Sequence, residues 1–128
     1  AADPGRAGAR LALGSVLIER GEDAGAEAAF REGLALAPDD WQSWTNLGNL
    51  YQGRGDFRRA EESYLASLSR RDSFKARYNL GFLYLKRLGE PGKALPQLMR
   101  ARDLCEDFHL AGRIEAAIQA AESAARQK

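Results

Sequence analysis

Trp44-Thr45-Asn46-Leu47-Gly48-Asn49-Leu50-Tyr51 is the stretch that decides how this chain folds. Trp44, Leu47 and Tyr51 stand three and then four positions apart, the spacing that lines one face of an α-helix. Gly48, inside that helix, costs about 1 kcal/mol of helix propensity relative to alanine, which close approach of a neighbouring helix backbone would offset. After Gly55 and Asp56 at a turn come Ala60, nine residues past Tyr51, and Tyr64, four further on. The arrangement occurs 34 residues earlier as Leu13, Gly14, Gly21, Ala26 and Phe30, closed by Pro38. It returns downstream as Leu80, Gly81, Tyr84, Gly89, Ala94 and Leu98, with Gly48 and Gly81 only 33 apart and Tyr84 to Ala94 one residue longer than Tyr51 to Ala60. A shortened linker and one inserted residue account for both shifts.

The W-x2-L-G-x2-Y opening and the alanine and aromatic positions that follow it resemble the tetratricopeptide repeat over roughly residues 7–106. The resemblance implies an all-α fold, a right-handed α-solenoid of antiparallel helix pairs with seven helices. Its divisions would be a disordered lead (1–6), three repeats (7–40, 41–73, 74–106) and a C-terminal capping helix (107–128). Such stacks bury each helix pair on the next and need no globular core, and three repeats are about the minimum for stability.

Composition narrows the classes of function. The net charge is +1 with 29% charged residues, too little for a field of nucleic-acid size, and acids interrupt Arg54, Arg58, Arg59, Arg70 and Arg71. No apolar run approaches the ~20 residues of a membrane span. The single Cys105 excludes an internal disulfide framework, and its pairing with His109 is too sparse for a metal site. Motifs for nucleophilic, phosphate-binding or zinc-dependent catalysis are absent, so no enzyme activity and no cofactor are expected. The chain begins Ala1-Ala2-Asp3-Pro4-Gly5 without methionine, which reads as an excised or processed piece and leaves the compartment open.

In chain order, Leu11, Leu13, Val16, Leu17 and Ile18 predict an apolar helical stripe, and Glu22 or Asp23 caps a second helix carrying Ala26, Phe30 and Leu34. Asp39 or Asp40 caps the helix of the opening stretch, where the resemblance makes Trp44, Leu47 and Tyr51 core. Asp56 caps the next. The third repeat begins after Asp72-Ser73. Its second helix is expected near Gly92 or Lys93, so that Pro96 falls in the first turn where its missing donor is harmless. A last helix from about Asp107 carries Phe108, Ala111, Ile114, Ile118 and Ala121 on one face.

The resemblance also implies where a ligand sits, because the first helix of each repeat lines the concave groove. In register these positions are Leu11 and Ser15; then Gln42, Thr45, Asn46 and Asn49; then Lys75, Tyr78, Asn79 and Phe82. Asn46 and Asn79 occupy equivalent places, as in the asparagine ladders of the O-linked N-acetylglucosamine transferase and kinesin light chain families. A side-chain amide can pair with both N–H and C=O of one peptide unit without reading its side chain. The carboxylate clamp of chaperone-binding repeats is matched only at Asn46 and Lys75, with Leu11, Ser15 and Asn79 departing from it. The expectation is a scaffold that binds a protein or peptide partner, as a monomer or weak homo-oligomer. A regulatory or self-assembly module of a larger, enzymatic or secretion-related protein is the alternative.

Overall fold

The computed structural model describes residues 4–127. Among them the helices are α1 (Pro4–Glu19), α2 (Asp23–Leu36), α3 (Trp41–Arg54), α4 (Phe57–Arg70), α5 (Phe74–Phe82), α6 (Pro91–Leu104) and α7 (Phe108–Arg126), with a π-helical turn (Leu83–Arg87) continuing α5. There is no strand among the described residues. The chain divides into two compact units, residues 1–71 and 72–128. In the first, α1 packs on α2, α2 on α3 and α3 on α4; in the second, α6 packs on both α5 and α7.

Short side-chain caps start most of these helices. Asp40 accepts from the Gln42 N–H, Asp56 from Arg59, Ser73 from Ala76, and Asp107 from His109 and Leu110, each satisfying a donor the helix leaves open. Glu22 holds the cap position of α2 without a side-chain bond, its carboxylate reach being poorer than that of Asp or Ser.

The periodic glycines are explained by what lies over them. A Cβ on Gly14 would stand 2.6 Å from the Phe30 ring and one on Gly48 2.5 Å from the Tyr64 ring. At Gly81 it would meet Leu98 at 2.7 Å. The second helix of each pair thus presses a large side chain onto the first helix, and at Gly81 the Ala94 carbonyl oxygen also comes within 3.5 Å of such a Cβ. Phe30, Tyr64 and Leu98 are each fully buried, worth about 2–3 kcal/mol apiece in apolar burial.

The inserted residue of the third repeat is absorbed locally. In the first two pairs the N–H beyond the turn glycine reaches five residues back, Glu22 to the Leu17 carbonyl (2.8 Å) and Asp56 to Tyr51 (2.9 Å). In the third, Glu90 reaches six back to Tyr84 (2.7 Å), and Leu88 bonds Leu83 five back (3.0 Å). A π turn takes one more residue per turn than an α turn, so Leu83–Arg87 accommodates the extra residue while Gly89 ends the segment with φ +63°, as Gly55 does at +82°.

Several expectations need correction. α1 starts at Pro4, so residues 4–6 are helical where an unstructured lead is expected; proline suits the first helical position, where its missing N–H has no partner to lose. Residues 1–3 of that lead, and Lys128 of the last helix, lie outside the described residues. α6 starts at Pro91, not at Gly92 or Lys93, which places Pro96 in the helix interior. The bond it removes would have gone to Gly92, and both residues are exposed, so water can take the orphaned carbonyl. In α1, Leu13, Val16 and Ile18 are 41%, 48% and 37% exposed; its packing face is made instead by Ala7 and Gly14, with Leu11 and Leu17 half-buried. Phe108 is 89% exposed at the first position of α7, ahead of the face that buries Ile114, Ile118 and Ala121.

Candidate functional site

α3 separates two surfaces of the first unit. Trp44, Leu47 and Tyr51 lie on one side, and Gln42, Asn46 and Asn49 on the other, a division set by 3.6-residue periodicity. On the polar side Gln42 and Asn49 are exposed and Asn46 is half-buried. Among the described residues no hydrogen bond engages the Asn46 amide. Asn49 is already committed: the Tyr64 hydroxyl is shared between Asn49 Oδ1 (2.5 Å) and Gln52 Oε1 (2.9 Å). Burial pushes the Tyr64 phenol well above its usual range, so it stays a neutral donor.

Thr45 does not belong to this face. It is buried, its Oγ1 donating to the Trp41 carbonyl (3.0 Å) and lying 2.7 Å from Ser67 Oγ, which itself donates to Trp41 O (2.8 Å). Serine on α4 leaves room and an oxygen for a threonine on α3, and the pair ties the two helices. Ser43 is buried likewise, donating to Asp40 (2.7 Å). On α1, Ser15 is exposed and donates to its own helix at Leu11 O (3.2 Å), while Leu11 is half-buried.

In the second unit Lys75 is exposed, and Tyr78, Asn79 and Phe82 are half-buried. Their spacing along α5 puts Lys75, Asn79 and Phe82 on one face. The Arg87 guanidinium lies 6.0 Å from the centre of the Phe82 ring. Asn79, unlike Asn46, is engaged within the fold.

Two acid-centred clusters hold these helices. Glu27 on α2 accepts from Arg54 (2.7 Å), the Tyr51 hydroxyl (2.8 Å) and Arg31 (3.0 Å), and Arg31 also donates to the Tyr51 oxygen (2.8 Å). The Arg54 bond first, then those from Tyr51 and Arg31, hold the Glu27 carboxyl down at about 2. In the second unit Asp72 accepts from Arg77 (2.7 Å) and Arg100 (2.8 Å), and Arg77 reaches on to Gln97 (2.8 Å). Arg77 chiefly, with Arg100, lowers the Asp72 carboxyl below its usual range. Neither cluster is visible in local sequence, because their members are up to 28 residues apart.

Trp44 is half-buried rather than core. Its indole N–H donates to Pro38 O (3.2 Å), Arg70 lies 5.0 Å from its ring centre, and its exposed side lines a cleft between α2 and α4. Trp41 is also half-buried, with Arg71 at 5.1 Å.

Tetratricopeptide repeat profiles match residues 7–50 and 45–105. No protein of curated function matches the sequence. Similar solved structures include a T3SS complex from Aeromonas hydrophila (TM-score 0.87, 20% identity, 95% of this chain and 84% of that one). They also include the Yersinia enterocolitica type III secretion chaperone SycD with a peptide of the translocator YopD (0.81, 19%, 88% and 89%). A third is the TPR2B domain of yeast Sti1 in its Hsp70 complex (0.82, 17%, 96% and 98%). At these identities the likeness is one of fold, and it confirms the all-α class built from helix pairs. With both profiles spanning the repeat glycines and the side chains packed on them, the chain belongs to the tetratricopeptide repeat family.

Proposed function

We propose that this protein is a non-catalytic interaction scaffold that holds an extended peptide or a partner's helix in the concave groove. Its contacts would be Gln42, Asn46 and Asn49 on α3, Lys75, Tyr78, Asn79 and Phe82 on α5, and Leu11 and Ser15 on α1. The observation that carries this reading is the Asn46 amide, set on a polar helix face with no internal partner. An amide so placed offers a donor pair and an acceptor to a peptide backbone without first breaking a bond of its own. The peptide complexes of SycD and Sti1 support a peptide as the partner class. Thr45 is left out, since a partner could reach it only by separating α3 from α4.

Screening the full chain against an array of unmodified peptides supplies ligands, and the Asn46→Ala/Asn79→Ala double variant then tests the reading. A loss of about tenfold or more is expected, equivalent to about 1.4 kcal/mol. Affinity retained within about twofold overturns it. The exposed Leu13, Val16 and Ile18 of α1 favour self-assembly as a second reading. Light scattering that shows a monomer at millimolar concentration removes that reading and leaves the first intact.

A further inference from the structure

The side of α3 opposite Asn46 faces a cleft of its own. Between α2 and α4 lies an open cleft of about 620 Å³, within the size range of specific ligand sites. Its floor is α3: Leu47 and Tyr51 are buried there and Trp44 is half-buried, with Leu34 of α2 and Ser63 of α4 completing it. The walls are two helical stripes of matching period, Arg31, Leu34 and Ala35 on α2, and Arg59, Glu62, Ser63 and Ala66 on α4. Arg31, Ala35, Arg59 and Glu62 form an exposed rim.

The floor is apolar and aromatic, and arginines stand around it: Arg31 is paired with Glu27 (2.9 Å) and Arg59 with Asp56 (3.5 Å), whereas Arg70 has no such partner among the described residues. Arg59 stands 5.8 Å from the Tyr51 ring centre and Arg70, one turn beyond Ala66, 5.0 Å from that of Trp44. Glu62 faces Arg58 (3.4 Å), which leaves it partly neutralised. Arg70 bonds only neutral acceptors, the Pro38 and Ala66 carbonyls (both 2.9 Å) and Ser69 Oγ (3.1 Å). Among the described residues it meets no carboxylate, so its charge is uncompensated beside the tryptophan. Aromatic rings with guanidiniums over their faces bind an apolar side chain from the ring and an adjacent anion from the guanidinium. The α4 wall, from Arg59 to Ala66, is only about 10 Å long at 1.5 Å per residue, enough for one anchoring side chain and its neighbours.

We infer that this cleft is a docking site for an acidic peptide segment bearing one bulky apolar residue, seated on Trp44 and Leu47 with its carboxylates at Arg59 and Arg70. The site is separate from the amide face, so one partner could hold both sides of α3 through two segments.

The test uses the full chain carrying Trp41→Phe, which leaves Trp44 as the sole tryptophan, since the sequence has two. Trp44 emission is followed on titration with the blocked pentapeptide Asp-Glu-Phe-Asp-Glu, with Asp-Glu-Ala-Asp-Glu and Lys-Arg-Phe-Lys-Arg as comparison probes. Saturable binding of the first is expected, at least about tenfold tighter than either comparison peptide. Arg59→Glu combined with Arg70→Glu should weaken it about tenfold or more, Ala35→Trp should block it, and Asn46→Ala should leave it within about twofold. Circular dichroism establishes that each variant remains helical. No saturable response at millimolar peptide overturns the inference. So does equal binding of the basic or alanine peptide, or a loss with Asn46→Ala while the arginine variant is silent.

Discussion

The α3–α4 pair and the α5–α6 pair carry the same repeat register by different means. In the first, a rigid Tyr64 ring covers Gly48, the turn has the ordinary length, and the α4 interior is free of proline. In the second, a flexible Leu98 covers Gly81, a π turn holds an extra residue, and Pro96 sits inside α6. What is constant is a large buried side chain seated on a helical glycine; apart from the identity of that side chain, what varies faces solvent or lies at the turn. The contact is held because buried packing tolerates little change of volume, whereas a solvated carbonyl or a longer turn costs little.

Substitutions can break that comparison directly. Gly48→Ala forces a methyl into an aromatic ring that cannot fold away, and should cost about 3 kcal/mol in urea unfolding. Gly81→Ala meets the end of a leucine that can change rotamer, and should cost about 1 kcal/mol. Equal losses would show that the covering side chain does not set the tolerance.

Pro96 has Glu62 as its counterpart, each two residues before the covering side chain. Glu62→Pro, which removes a helical bond and sets a ring against the Arg58 carbonyl, should destabilise by about 3 kcal/mol, while Pro96→Glu, in a helix that already accommodates the ring, should stabilise by only about 1–2 kcal/mol. Thermal melts of both variants check this, and a loss of stability with Pro96→Glu would contradict the account of α6.

The acid clusters sharpen the comparison through pH. The Glu27 carboxyl lies at about 2 when folded against the ordinary 4.5, so its contribution is complete above about pH 4.5 and is lost as the pH falls toward 2. Asp72 is lowered too, and its contribution is likewise lost in acid. Glu27→Gln should lower the Tm at pH 7 by a few degrees, consistent with about 1 kcal/mol for a partly exposed ion cluster. It should also flatten the fall in Tm between pH 5 and 3. A variant whose acid profile overlays the parent would mean that Glu27 does not couple α2 to α3.

The smallest effect is expected at the π turn. Deleting Lys86, which is exposed, restores the spacing of the second pair and should turn Leu83–Arg87 into ordinary helix, changing stability by no more than about 1 kcal/mol. A deletion that unfolds the second unit would show that the π turn is required rather than merely tolerated.

Much of this architecture can be read from residue spacing. Gly14, Gly48 and Gly81, with Phe30, Tyr64 and Leu98 after them, specify three helix pairs, because a missing Cβ and a large side chain must recur together for such pairs to close. The one-residue insertion was also legible, from Tyr84 to Ala94, though not its form: a longer loop and a π turn have the same length in sequence. Side-chain fate was less legible. Thr45 has a groove position by register, yet it turns to Ser67, a partner 22 residues away that periodicity cannot name. Leu13 and Val16 read as part of an apolar stripe and are exposed, since an apolar residue is buried only if another element covers it.

The sequence by itself therefore determined the repeat, the helix pairs, most caps and the polar composition of the α3 face, all of which depend on spacings within one repeat. Only the tertiary structure decided which polar groups of that face are free. Tyr64 takes Asn49, Ser67 takes Thr45, and Asn46 is left without a partner. It also joined Arg31, Trp44, Arg59 and Arg70 around one cleft. Those outcomes depend on distances between helices, which arise from packing and not from the order of residues along any one of them.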